Sequence, residues 1–255
     1  IASFLAAGSV SWLYYSDRLV EFPLGIFGIA LATVILPSLS KSHSADNPVE
    51  FSKSLDWALR LVLLIGVPAS IGLLILAEPM LSTLFQYEAF GDNDVRLAGQ
   101  SLMAYSIGLL GFILVKVLVP GFTSRKDMKT PVRFGIYAMV ANMGMNIALV
   151  FPLAHAGLAL ATSLGAFFNA SLLLTKLLKD KVYKPGKNWF NFMAKIIFAN
   201  EIMAIFLYIC VDITQWSEWG AFDRSINLMM WVVLGGGVYA LALLLIGVRP
   251  RNFFK

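Results

Sequence analysis

Residues 12–22 read Trp-Leu-Tyr-Tyr-Ser-Asp-Arg-Leu-Val-Glu-Phe and place three charges, Asp17, Arg18 and Glu21, in a stretch that should cross a membrane. A second apolar stretch, residues 109–119, contains Lys116. A charge at the bilayer centre costs about 2.5–3.5 kcal/mol, so four such groups facing lipid would cost roughly 10 kcal/mol. These side chains must therefore face one another, water or a polar ligand. A membrane protein with a charged interior usually binds or moves something charged.

The composition of the whole chain is that of a membrane protein. It is 58% hydrophobic and 14% charged, with a mean hydropathy of +0.76, whereas soluble domains are about 25% charged. Apolar runs of roughly 18–25 residues recur, and each is long enough to span a hydrocarbon core of about 30 Å. This pattern excludes an ordinary soluble domain.

The apolar runs predict an all-α, polytopic membrane protein with about seven transmembrane helices. Residues 1–8 look like the end of an earlier helix. The segment Asn47-Pro48-Val49-Glu50 carries a helix-capping pattern, so residues 48–59 are expected to form an amphipathic helix on the inner membrane surface. Pro68 is expected to kink the second span. The predicted spans cover residues 11–40, 60–85, 98–123, 131–151, 156–178, 190–211 and 224–247.

Basic and non-basic connecting segments alternate along the chain. The basic segments hold 16 of the 20 lysines and arginines, and the segments between them are acidic or uncharged. The positive-inside rule then predicts cytoplasmic basic segments, an outside N-terminus and a cytoplasmic C-terminus. An outside start without a signal peptide or an initial methionine implies preceding helices. The basic segments are residues 41–60, 125–133, 176–195 and 249–255.

The chain divides at a basic stretch that contains Pro185-Gly186. Residues 1–180 are expected to form a transporter lobe, made of the end of one helix plus five spans. Residues 181–189 are expected to form a basic cytoplasmic hinge. Residues 190–255 then supply two additional spans and a short basic tail.

The charged residues of the first span allow two interpretations. Asp17, Arg18 and Glu21 share one side of a helix, because residues three and four apart are neighbours. They form either a self-contained ion pair that holds helices together or one wall of a polar cavity. In the cavity, Arg18 would bind an anion, since its planar guanidinium suits phosphate.

Lys116 allows the same two interpretations. It lies nine residues before Arg125, which places it about 13 Å from the inner membrane edge and too deep for its ammonium group to reach the surface easily. It forms either a structural pair with Glu21 or Asp17 or a part of the cavity wall.

Other chemistries find little support in the sequence. No nucleotide-binding loop, hydrolase elbow or zinc-protease motif occurs, so no enzyme activity is expected. The single cysteine cannot form an internal disulfide, and neither histidine has a ligand-spaced partner. The net charge of +5 is gathered between apolar runs, as membrane topology requires, so no nucleic-acid partner is expected.

Four stretches of the chain resemble one known family. The most specific are residues 8–23, Gly-Ser-Val-Ser-Trp-Leu-Tyr-Tyr-Ser-Asp-Arg-Leu-Val-Glu-Phe-Pro, and residues 120–131, Pro-Gly-Phe-Thr-Ser-Arg-Lys-Asp-Met-Lys-Thr-Pro. Softer matches are Leu-Pro-Ser-Leu-Ser-Lys at 36–41 and Leu-Phe-Gln-Tyr at 84–87. Together they resemble the MurJ (MviN) family of lipid II flippases, in register along the whole chain and over the C-terminal half of such a protein. The resemblance implies the fold of the MATE multidrug exporters, in which two lobes enclose a cationic cavity and alternate access.

The resemblance also implies a substrate and a set of site residues. The substrate would be undecaprenyl diphosphate bearing a disaccharide-pentapeptide, the lipid-linked precursor of peptidoglycan. Arg18 would bind the diphosphate, while Asp17, Glu21, Ser11 and Lys116 would line the cavity. The last two helices would form a groove for the lipid tail. The partners implied are this precursor, membrane lipids and the N-terminal lobe of the same protein.

Some members of the family hold a sodium ion near the loop before Pro131. Asp127 matches one ligand of that ion and Thr123 occupies another ligand position, but Met139 and Met143 lie where further ligands are expected. No other cofactor is implied, and coupling to sodium or to the membrane potential remains an expectation.

The sequence therefore predicts part of a lipid II flippase in the bacterial cytoplasmic membrane, acting by alternating access without bond chemistry. The alternative is a related exporter of another lipid-linked oligosaccharide or a MATE-type drug or cation antiporter, whose cavity should be rich in carboxylates. A membrane scaffold or a polyprenyl-phosphate enzyme is a third hypothesis. A dominant effect of Arg18 over Glu21 in mutants favours the first.

Overall fold

The computed structural model describes residues 2–212, 216 and 218–248, and no β-strand occurs among them. Six helices are long and apolar enough to cross a membrane, which confirms the all-α membrane fold. Beyond a 3-10 turn at Ala2–Phe4 and a π-helical segment at Leu24–Ile29, the helices are α1 (Ser9–Pro23), α2 (Ala30–Ser44), α3 (Pro48–Ile75), α4 (Ala77–Phe85), α5 (Asp92–Leu118), α6 (Pro120–Thr123), α7 (Lys129–Lys179), α8 (Trp189–Cys210) and α9 (Ala221–Leu245).

The first span is one continuous helical rod from Ser9 to Ser44, built from α1, the π segment and α2. The π segment follows Pro23, whose ring removes a backbone hydrogen-bond donor. The predicted tail of an earlier helix is not seen in residues 2–8, because they form only the 3-10 turn and a bend at Gly8 with φ 99°.

Helix α3 contradicts one prediction. Asn47 caps it, accepting a hydrogen bond from the Glu50 backbone N–H at 3.1 Å, but residues 48–59 form no separate surface helix, because their apolar side packs into the core and the helix continues to Ile75. Pro68 lies inside this helix, and the kink expected there stays a prediction. The carbonyl that Pro68 leaves without its helical partner belongs to Leu64, and it accepts the hydroxyl of Tyr239 on α9 at 2.8 Å. Helix α3 ends at Ile75, and α4 begins at Ala77 after Leu76, whose φ is −91° and ψ is 15°.

Helix α7 contains two of the predicted spans. Its 51 residues are interrupted at Ala154, where φ is 47° and ψ is −126°. This break lies in the predicted loop 152–155 and divides α7 into two halves of about 25 residues, each long enough to span a membrane. The second half of α7 packs closely on α5, where the Ser163 hydroxyl donates to the Ala104 carbonyl at 2.7 Å. Gly108 permits this approach, since a Cβ there would lie 2.6 Å from the Ser163 Cα.

The basic connecting segments lie at one end of the helices, and the acidic or uncharged ones lie at the other. At one end, Ser52 bonds the backbone of Lys184, and the 42–51 corner shares a cleft with Arg125 and residues 180–182. At the other end, Trp12 bonds Asp94, and His155 lies 2.9 Å from the Leu97 carbonyl oxygen. The described basic segments therefore share one end, as their alternation predicted. The basic tail, residues 249–255, lies outside the described residues.

Candidate functional site

One side of α1 is buried and the opposite side carries the charges. Trp12, Ser16, Leu19 and Val20 are buried, and the Ser16 hydroxyl donates to the Ala98 carbonyl on α5 at 2.7 Å. All four predicted site residues of α1 are exposed and lie within one arc of the helix. We call this set the charged face: Ser11, Asp17, Arg18 and Glu21.

Arg18 and Glu21 form an ion pair within the charged face. The Arg18 Nη1 lies 2.6 Å from the Glu21 Oε2, and the two side chains are 55% and 50% exposed. The Arg18 guanidinium also lies over the Tyr14 ring, 5.0 Å from its centroid. All three residues belong to α1, so this pair joins no two helices of the described chain. The interpretation as a clamp between helices finds no support there, and the guanidinium remains accessible to a ligand.

Lys116 lies apart from the charged face. Its side chain is exposed on α5 and its stem passes Gly28 of the π segment, where a Cβ would lie 3.6 Å from the Lys116 Cγ. Across residues 2–212, 216 and 218–248 it forms no ion pair, so the predicted pair with Asp17 or Glu21 is absent. It lines an open groove of about 350 Å³ with Asn142, Thr162 and Asn169 of α7.

A second groove, almost wholly apolar, begins beside the charged face. It has a volume of about 440 Å³ and runs between the first span, α3–α4 and the pair α8–α9. Phe22 lies one turn beyond Arg18 on the same side of α1 and lines this groove. The last two helices therefore supply one wall of the groove rather than the whole of it. We call it the apolar groove; among its lining residues are Phe22, Phe27, Leu64, Pro68, Gly236 and Tyr239.

Asp127 acts as a cap at the start of α7. Its Oδ1 accepts the Thr130 backbone N–H at 3.1 Å, and hydrogen bonds from Thr130 lower the pKa of its carboxyl group. Thr123 lies at the same corner, but Met139 lies ten residues beyond Lys129, about 15 Å along the helix, and thioether sulfur is a soft ligand. The described part of the chain holds no cluster of three or more His, Cys, Asp or Glu side chains. The sodium site stays a prediction, and no step below passes through that ion.

Sequence reasoning missed Asp56. Its Oδ1 accepts the Gly186 backbone N–H at 2.9 Å, the Tyr183 hydroxyl at 2.8 Å and the Trp189 Nε1 at 2.7 Å. Its Oδ2 accepts the Arg60 Nε at 2.8 Å. Burial and the neighbouring Asp56 raise the pKa of the Tyr183 hydroxyl. The predicted hinge is thereby fastened to α3. The sequence signal that could have revealed it is a carboxylate and an arginine one turn apart, Asp56 and Arg60, just before a long apolar run.

Comparisons with known proteins agree with this architecture. The family model described as "Lipid II flippase MurJ" matches residues 1–246. A "Probable lipid II flippase MurJ" of Vibrio cholerae is 47% identical over 253 residues, which cover 99% of this chain and 48% of that protein. The "Lipid II flippase MurJ" of Burkholderia cenocepacia is 37% identical over 255 residues, covering 99% of this chain and 49% of the relative.

A solved structure, "Lipid II flippase MurJ, inward closed conformation", has the same fold. It superposes with a TM-score of 0.81 at 23% identity and covers 100% of this chain and 50% of that chain. The chain thus spans about half the length of the curated relatives it matches.

Proposed function

Because this chain belongs to the MurJ family of lipid II flippases, we propose that it forms one lobe of a transporter for the lipid-linked precursor of peptidoglycan. The cargo is undecaprenyl diphosphate carrying a disaccharide-pentapeptide, and it crosses the bacterial cytoplasmic membrane. The basic end of the helices, with the C-terminus, faces the cytoplasm. This lobe and the remainder of the full-length protein alternate access to the cargo without bond chemistry.

The observation that carries the proposal is the meeting of the charged face with the apolar groove. Arg18 and Phe22 are one turn apart, about 6 Å along α1, and Phe22 already lines the groove. A molecule that holds a diphosphate at Arg18 can therefore extend an apolar chain into the groove. A polyprenyl diphosphate has this combination of groups, whereas a compact organic cation has neither.

Arg18 is the anion ligand in this proposal. Its guanidinium presents paired N–H donors that match two phosphate oxygens. Without cargo, Glu21 neutralises it, so an arriving diphosphate displaces the carboxylate and a departing one is replaced by it. Ser11 and Asp17 lie on the same face, where a hydroxyl and a carboxylate can contact the sugar and peptide hydrogen-bonding groups.

The charged face is not cationic by itself. It carries one guanidinium and two carboxylates, so its formal charge is −1. A diphosphate cavity therefore needs further cations, and we propose that these come from Lys116 and from the other half of the full-length protein. Lys116 contributes along the wall of α5 and α7 rather than by touching Arg18.

The test is a substitution series at Arg18 in the full-length protein. We expect Arg18→Ala to abolish complementation of a flippase-depleted strain and Arg18→Lys to retain little activity, because an ammonium group cannot donate in a fork. Arg96→Ala is the matched control, since Arg96 is exposed on α5 and its side-chain hydrogen bond, among the described residues, goes to Asn93 one turn away. Full complementation by Arg18→Ala at a normal protein level would overturn the proposal. A larger loss from Glu21→Gln than from Arg18→Ala would favour a cation antiporter instead.

A further inference from the structure

A cavity of about 480 Å³ opens at the basic end of the helices and shares no lining residue with the charged face or the apolar groove. Its walls come from the first turns of α3, the segment between α7 and α8, the first turns of α8 and the residues after α9. We call it the basic cavity. Its polar and charged lining includes Lys53, Asp56, Arg60, Lys184, Asn188 and Lys195.

The basic cavity holds an uncompensated positive charge. Lys53, Lys184 and Lys195 form no ion pair within the described ranges 2–212, 216 and 218–248. The only carboxylate in the lining is Asp56, and it is paired with Arg60. Three ammonium groups therefore surround one cavity without a counter-charge, which favours an anion bound among them.

The floor of the basic cavity is rigid. The Arg60 guanidinium donates through Nε to Asp56 and through Nη2 to the Lys187 carbonyl at 3.0 Å. It also lies against the rings of Trp189 and Phe192, 4.9 Å and 5.1 Å from their centroids. These contacts hold the segment between α7 and α8 on α3, so the surrounding lysines extend from a fixed scaffold rather than from a loose loop.

We propose that the basic cavity binds the phosphate group of an anionic phospholipid. The cavity lies at the end of the helices where the described basic segments meet, and Trp57 and Trp189 lie there too, as tryptophans do at membrane interfaces. Basic pockets between transmembrane helices on the cytoplasmic side bind anionic headgroups. Phe192 and Val248 add an apolar side to the same cavity, along which glycerol and acyl carbons can leave toward the bilayer.

The test measures lipid binding to the full-length protein, so its outcome is separate from that of the transport proposal. The variant Lys53→Gln, Lys184→Gln, Lys195→Gln removes the three unpaired charges. The control Lys41→Gln, Lys129→Gln, Lys179→Gln removes the same charge from exposed lysines outside this cavity. Native mass spectrometry with phosphatidylglycerol, phosphatidylcholine and inorganic phosphate as separate probes gives each affinity. Thermal unfolding checks that both variants fold.

We expect the cavity variant to bind phosphatidylglycerol roughly 100-fold more weakly than the unmodified protein. The affinity of the control variant should change by less than about threefold. At 1.4 kcal/mol per factor of ten, this loss corresponds to about 1 kcal/mol for each lysine removed. Phosphatidylcholine should bind weakly to every form. An equal loss of phosphatidylglycerol affinity in both variants would show that general surface charge causes the binding, and would overturn the proposed site. Tight binding of inorganic phosphate with no preference for phosphatidylglycerol would overturn its assignment to a lipid.

Discussion

Replacing Asp56 by alanine should release the segment between α7 and α8 from α3. The carboxylate accepts hydrogen bonds from the Gly186 backbone and the Tyr183 side chain of that segment, and a third from Trp189, the first residue of α8. It also receives the Arg60 Nε. The substitution removes all four at once and leaves their donors without an acceptor.

The magnitude follows from the burial of these groups. A hydrogen bond to a charged group contributes about 1.5–3 kcal/mol, and a stranded buried donor costs about 1–3 kcal/mol. The Asp56 side chain is 14% exposed, so some donors reach water after the substitution and the contributions do not add. We expect a net loss of about 3 kcal/mol, which is roughly a 100-fold shift toward the released segment.

The assay is hydrogen exchange at the amide of Gly186, which Asp56 protects directly. Asp56→Ala should speed exchange across residues 183–189 by roughly 100-fold, and Asp56→Asn by about tenfold, because the amide oxygen still accepts but carries no charge. The matched control is Asp180→Ala, which breaks only an exposed pair with Lys176 and should change exchange by less than about threefold. If Gly186 exchanges at the same rate in Asp56→Ala and the unmodified protein, the segment is held by packing and this reasoning is wrong.

Two further predictions concern the apolar groove and the start of α7. Gly236→Leu should reduce transport about tenfold without unfolding the protein, because Gly236 lines the groove and an added Cβ meets nothing within 4 Å. Gly237 is equally open but does not line the groove, so Gly237→Leu should leave transport unchanged. Equal losses in the two variants would contradict a role for the groove. Asp127→Ala should destabilise the α6–α7 corner by about 0.5–2 kcal/mol through loss of the cap. Because the folded-state pKa of Asp127 is lowered, the stabilisation by this cap should be present above about pH 4 and be lost as the pH falls below it. If the variant and the parent still differ in unfolding temperature at low pH, the cap does not explain the difference.

The spans were predictable because each apolar run is long enough to cross a membrane and is bounded by charge. The break at Ala154 and the gathering of the basic segments both follow from the same alternation. The bond from the Tyr239 hydroxyl to the carbonyl that Pro68 frees could not be predicted, because Tyr239 lies 171 residues away in the chain. Residues 48–59 were misread because an apolar helix side does not reveal whether lipid or a neighbouring helix covers it.

Whether the predicted residues form a substrate site stays a prediction. The sequence located the charges on α1 but not their arrangement relative to the other helices. Helical spacing put Asp17, Arg18 and Glu21 on one side of α1, while Ser11 was implied by the family resemblance. The structure shows all four residues exposed. Spacing could not separate Lys116 from them, since its position depends on how α5 meets the π segment at Gly28. Asp56 escaped notice for a similar reason: its partners lie about 130 residues away, and only the folded chain brings them together.

In the proposed function, the Arg18–Glu21 pair should affect turnover as well as binding. A lone guanidinium in a cavity would hold a diphosphate tightly and slow its release, because binding that is equally strong before and after translocation adds nothing to the rate. A carboxylate 2.6 Å from Nη1 competes for the same donors, so it weakens the bound state and stabilises the empty one. Glu21→Gln should therefore tighten binding of the precursor while lowering the rate of flipping. Binding measured on detergent-solubilised full-length protein and flipping measured in vesicles separate the two effects. Weaker binding together with slower flipping would show instead that Glu21 serves only to position Arg18.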